Sequence, residues 1–161
     1  MSLVLAADAK AYVAGLTAFR EERPEAWMLL FARAIERAAA KASELAKRLA
    51  DLQERWRDRA GRPRRHSSAE ALIIELPAHP IVTVATALKV IGRSKQAVNE
   101  AIAFLADKGV LHPITLAKRN RAWEARELFD VINDVERELA TPSDEDVSPR
   151  PAPRRKTSSR R

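Results

Sequence analysis

The sequence predicts a mainly α-helical fold with one small β-hairpin, and three observations carry that reading. Of 161 residues 46% are hydrophobic but only 5% aromatic, and there are four glycines, a balance that suits packed helices better than a sheet sandwich. Apolar residues recur at helical spacing over long stretches, above all from Phe31 to Trp56. A strand-turn-strand pattern occurs in one region, 111–125. These signals divide the chain into a helical lobe over 1–60, a basic linker over 61–66, a second lobe over 67–140 and a Pro/Ser/Arg-rich tail over 141–161 that is expected to be disordered.

The first lobe opens with Leu3 to Leu5 and a helix whose Tyr12, Leu16 and Phe19 are spaced to share one face. Pro24 suits the first turn of a second helix, where its missing N–H has no intrahelical partner to lose. That helix should reach about Ala60, because Phe31, Ile35, Ala38, Ala42, Leu45, Leu49, Leu52 and Trp56 follow one another in unbroken steps of four and three. A helix on the order of 55 Å long needs a partner along its length. Two readings stand side by side: the seam packs within its own chain, or it is a coiled-coil arm that makes a homodimer. Core packing is the default for Trp27, Phe31 and Trp56. In the linker, Gly61 and Pro63 stop the helix and the arginines offer nothing to a core.

In the second lobe, Ser67 and Glu70 have capping-box spacing, with the Ser hydroxyl expected on the Glu70 amide and the carboxylate reaching back. The helix they launch carries Leu72, Ile73 and Leu76 and stops at Pro77 and Pro80. Ile81 and Val82 are short and extended, and Thr83 can cap a helix with Val84, Ala87, Leu88 and Ile91. Gly92, Arg93 and Ser94 then form a tight turn, with Ser94 capping a third helix that buries Ala97, Val98, Ala101, Ile102 and Leu105 and ends at Gly109. Two helices joined by a short glycine-containing turn are the helix-turn-helix pattern, and its second helix is the candidate reader of double-stranded DNA.

That helix exposes Ser94, Lys95, Gln96, Asn99, Glu100 and Ala103. Gln and Asn can grip adenine through paired hydrogen bonds, Lys can reach a phosphate or guanine, and a small residue lets the helix approach the groove closely. The plain alternative is a solvated polar face. Leu111 to Leu116, a basic turn over 117–121 and Ala122 to Ala125 then read as a hairpin wing, whose Lys118, Arg119 and Arg121 would meet phosphates or the minor groove. Trp123 is its core anchor. A last helix carries Leu128, Phe129, Ile132, Val135 and Leu139 on one side.

With these residues in place, the second lobe resembles the winged-helix family, through Val82-Thr83-Val84, Gly92-Arg93-Ser94 and the run from Leu105 to Leu111, which is similar to the helix-to-wing junction of many bacterial regulators. The first lobe, through Leu3 to Ala6, Tyr12 to Leu16, Arg20, Trp27 and Phe31, resembles the helices that follow the catalytic loop of Fic family proteins, many of which carry a C-terminal winged helix. Fic proteins transfer AMP to hydroxyl side chains with a loop of the form His-Pro-Phe-x-x-Gly-Asn-Gly-Arg. His112 and Pro113 share only its first pair, so no catalytic residue carries over, and Met1 falls where the helices after the loop would begin. The resemblance implies a truncated, non-catalytic chain that binds DNA or regulates its own expression, with a second copy or a Fic catalytic portion as protein partners. Its rival is an interaction or docking module of a split AMP-transferase.

Composition narrows the remaining chemistry. The formal net charge of +7 favours polyanionic partners, but much of it lies in the arginine-rich tail, an accessory nucleic-acid arm or a solvated extension. Without cysteine there is no disulfide, thiol chemistry or cysteine-based metal site. His66, His79 and His112 lie far apart with no carboxylate at ligand spacing, and no glycine-rich phosphate loop or serine elbow is present, so neither metal nor cofactor is expected. The N-terminus lacks the basic segment of a signal peptide and no stretch approaches about 20 apolar residues, so the expectation is a cytoplasmic protein without membrane contact.

Overall fold

The computed structural model describes residues 2–117 and 120–140. The expected tail over 141–161, and Lys118 and Arg119 of the hairpin turn, lie outside the described residues. In chain order the elements are α1 (Ser2–Ala7), α2 (Ala9–Arg20), α3 (Pro24–Arg59), α4 (Ser68–Glu75), β1 (Ile81–Val82), α5 (Val84–Ile91), α6 (Lys95–Asp107), β2 (His112–Ala117), β3 (Asn120–Glu124) and α7 (Arg126–Ala140). The fold is mainly α with one small antiparallel sheet, as the composition and periodicity predict.

Helices α2 and α3 form a hairpin. Asp8 caps α2 by accepting from the Ala11 amide at 2.9 Å, and Pro24 occupies the first turn of α3. Their contact is close because Gly15 faces the Trp27 ring: a Cβ at position 15 would lie 3.0 Å from it. Trp27 is flanked in turn by Tyr12, edge-on at 5.4 Å between ring centres, and by Phe31 at 5.9 Å. The face that α2 buries is therefore Gly15 and Ala18 with Tyr12 at its edge, and Phe19, expected on the apolar face, is exposed. A bulky ring at the end of a helix that approaches its partner this closely has no room between the two.

The heptad seam of α3 changes surroundings along its length. Leu52 and Trp56 are wholly buried, Leu45 and Leu49 half-buried, and Phe31 half-buried, whereas Ile35 and Ala42 are exposed. A strict seven-residue repeat in a straight helix drifts by about 20° per heptad, so a seam that enters the core at Trp56 has turned well away from it by Ile35. The stripe that does face the protein runs through Ala34, Ala38, Lys41 and Arg48. The two cations meet Glu138 of α7, with Lys41 Nζ donating at 2.7 Å and an Arg48 guanidinium nitrogen at 2.9 Å, while Glu44 bridges the same pair. These hydrogen bonds hold the Glu138 and Glu44 carboxyls below, and the Lys41 ammonium above, their ordinary pKa values. Because Leu49 packs on the core of its own chain, an acid at Leu45 or Leu49 disturbs folding before it disturbs any assembly.

One core crosses the linker. Leu52, Trp56 and Ala60 are buried together with Leu72, Ile73, Leu76, Val98, Leu105, Leu111 and Leu128, so the last turns of α3 belong to the same packing unit as α4 to α7. At this seam Gln53 donates to the Ile73 and Ile74 carbonyls, and Arg57 donates to Glu70 at 2.9 Å. Ser67 accepts from the Glu70 amide as expected, but the carboxylate does not close the capping box: the Arg57 guanidinium, partly buried beside it, offers a charged partner that the Ser67 amide cannot match. The sheet also holds one strand more than the expected hairpin. Its order is β1-β3-β2, with Ile81 opposite Glu124 and Val82 opposite Trp123. Buried Val82 and the half-buried Trp123 thereby tie the hairpin to the segment that enters α5.

Candidate nucleic-acid interface

The geometry of α5, its turn and α6 is set locally. Thr83 and Thr86 complete a reciprocal capping box at the start of α5. Gly92 ends it in the left-handed conformation, φ 62°, where a side chain would be strained. Ser94 restarts the chain as α6 by accepting from the Ala97 amide at 3.3 Å. The inner side of α6, Val98, Ala101, Ile102 and Leu105, is buried against α4 and α5 in the shared core. That fixes the rotation of the helix and leaves Lys95, Gln96, Asn99, Glu100 and Ala103 on the opposite, exposed side, with Ser94 at its start.

These side chains are not equivalent. Gln96 Nε2 donates to Glu100 Oε1 at 3.0 Å, so its amide is engaged along the helix. Lys95 and Asn99 make no hydrogen bond or ion pair with other described residues and present their polar groups to solvent. Glu100 brings a negative charge to the face and partly offsets Lys95. It also borders an open hollow between α4 and α6, lined by Ser68, Ala69, Ala97, Ala101 and Phe104.

The hairpin is aimed by the end of α6. Gly109, φ 64°, lets the Val110 and Leu111 amides fold back onto the Leu105 carbonyl at 2.9 and 3.2 Å. Arg59 of α3 donates to the Gly109 carbonyl at 2.9 Å and pairs with Glu127, which also accepts from Trp56 Nε1 at 3.3 Å. The end of α6, the hairpin and the long helix are thus held by one knot of contacts. Arg121, opposite Thr115 in the sheet, is exposed on β3. Of the three basic residues expected at the tip it alone is described; β2 extends to Ala117 and β3 starts at Asn120, so residues expected in the turn belong to strands.

Sequence reasoning passed over the cations next to the start of α6. Arg93, taken only as a turn residue, donates to the His66 carbonyl at 3.1 Å, which pins the linker against the start of α6 and carries the exposed Arg64 and Arg65 to that end. Their unbalanced charge was a visible signal. Their position was not, because the contact joins residues 27 apart. The packing residues Phe31, Ile35, Leu45, Leu49, Leu52 and Trp56 lie on α3, apart from this face.

Among the described residues no cluster of three or more His, Asp or Glu is placed to hold a metal ion, and no helix is long and apolar enough to cross a membrane. No protein-family model matches the chain, and no curated protein matches it either.

Proposed function

We propose that this chain is a non-catalytic DNA-binding module of the winged-helix type, with Lys95, Gln96 and Asn99 of α6 facing base edges and Arg121 on the neighbouring hairpin facing the phosphate backbone. The observation that carries the proposal is the division of α6: four apolar residues lock one side into the core, so the side bearing Lys95, Gln96 and Asn99 is presented in a fixed orientation. Lys118 and Arg119, from the same turn as Arg121, belong to the proposed phosphate-contacting set on sequence grounds. The sequence likeness to the post-catalytic part of Fic proteins fits a regulatory module of that lineage.

Phosphate contact has a distinct signature, and Arg121→Ala is the variant that reads it. Binding to cognate and unrelated duplexes should fall together, and the slope of log K against log salt should drop by about one unit. An unchanged slope in gel-shift titrations at several salt concentrations would take Arg121 out of the interface. The non-catalytic half of the proposal rests on the missing Fic loop. Purified protein incubated with α-labelled ATP and a divalent metal is expected to incorporate no label into itself or added protein. Metal-dependent labelling that survives repurification would overturn this.

A further inference from the structure

The α2/α3 hairpin shows an apolar side that none of the described residues covers. Along α3, Met28, Ala32, Ile35, Ala39, Ala42 and Ala46 follow one another in steps of four and three, and all six are exposed, Met28 to 65% and Ile35 to 46%. They form a stripe about 27 Å long, turned by roughly 100° from the line that faces α2 and α7. The stripe stops where α4 begins to cover the same side of α3 at Gln53 and Arg57. Phe19, exposed to 55%, is turned from Gly15 in the same sense as Ile35 is from Trp27, which in an antiparallel pair of helices puts both on one side.

We propose that this side is the interface with a second copy of the chain, in which the two α3 helices pack antiparallel about a two-fold axis between Ile35 and Ala39. The reason is self-complementarity, which an isologous contact requires. Reversing the stripe on itself sets Met28 against Ala46 of the second copy, Ile35 against Ala39 and Ala32 against Ala42, so each large side chain meets a small one and the backbones approach closely. The same register brings Glu25 of one copy to within two residues, about 3 Å along the axis, of Lys47 of the other, twice by symmetry, within reach of two long side chains on one flank. Glu36 meets its own copy near the axis, but on the rim, where solvent screens like charges. With Phe19 and the α2 edge included, the face is on the order of 500 Å² per protomer, so a pair buries about 1,000 Å², the lower bound for a specific interface. The arrangement is a four-helix bundle of two hairpins, and it stands independently of DNA reading.

Sedimentation equilibrium of the full chain without DNA tests it. At concentrations on the order of tens of micromolar and above, the mass is expected to rise from that of one chain toward that of two, as for a small interface whose association follows mass action. Ile35→Glu and Ala39→Glu should each return it to the single-chain mass with unchanged helical circular dichroism. Glu25→Lys and Lys47→Glu should each weaken association, by roughly fivefold, and the double exchange should restore it, because two rim ion pairs per dimer are first reversed and then rebuilt. A wild-type monomer at these concentrations overturns the proposal, as does a dimer that both acidic variants leave intact. Loss of helicity in both variants would also overturn it, because the stripe must be free in the single chain. Failure of the double exchange to rescue its parents would rule out the antiparallel register.

Discussion

Trp56→Ala is expected to destabilise the protein by about 3–5 kcal/mol, the usual range for truncating a large aromatic in a packed core. Trp56 is 0% exposed and lies where α3 enters the core formed with Leu72, Leu105, Leu111 and Leu128. Its indole N–H also leaves Glu127 when the ring goes, and Glu127 is one of two groups that hold Arg59 over the start of the hairpin. A domain of this size has about 5–15 kcal/mol to lose, so the variant should sit near the edge of folding at body temperature. Urea unfolding followed by circular dichroism measures the loss. Because the core runs across the linker, helix content and DNA binding should disappear in one transition. Two separated transitions, or a loss below about 1 kcal/mol, would contradict the shared core. Val13→Ala, exposed on α2 and outside the proposed interface, is the internal control and should stay within about 0.5 kcal/mol of the parent.

Asn99→Ala is expected to cost about 1–3 kcal/mol on the preferred DNA site, roughly a 5- to 150-fold loss of affinity, while leaving nonspecific binding nearly unchanged. Asn99 is the amide on the exposed face of α6 that no described residue engages, so its hydrogen bonds are available to a base edge without first breaking others. Gln96 must leave Glu100 before it can read a base, so Gln96→Ala should cost less than Asn99→Ala. Gel-shift titrations against a site selected from random duplexes, with an unrelated duplex alongside, separate base reading from phosphate contact. Removing residues 142–161 is the control for the arginine-rich tail. If that deletion abolishes binding while Asn99→Ala and Arg121→Ala behave like the parent, α6 is not the reader, and the interaction-module reading takes its place.

The sequence by itself determined what is settled within a few residues along the chain. Thr83 and Ser94 as caps, Pro24 at the start of α3, Gly92 and Gly109 at helix ends, and the buried side of α6 all follow from hydrogen bonds and side-chain spacing that span a turn or two. The polar face of the candidate reader was legible for the same reason, since naming Val98, Ala101, Ile102 and Leu105 as inward leaves Lys95, Gln96 and Asn99 outward. Tertiary structure decided what depends on distant partners. Repeat spacing marked the seam of α3 but could not say where along the helix it would be covered, because only the positions of α2, α4 and α7 fix which side is inside and drift of the heptad then carries Ile35 out into solvent. The pairing of β1 with β3, the capture of Glu70 by Arg57 and the pinning of His66 by Arg93 likewise join residues 13 to 43 positions apart, and no local spacing encodes such contacts.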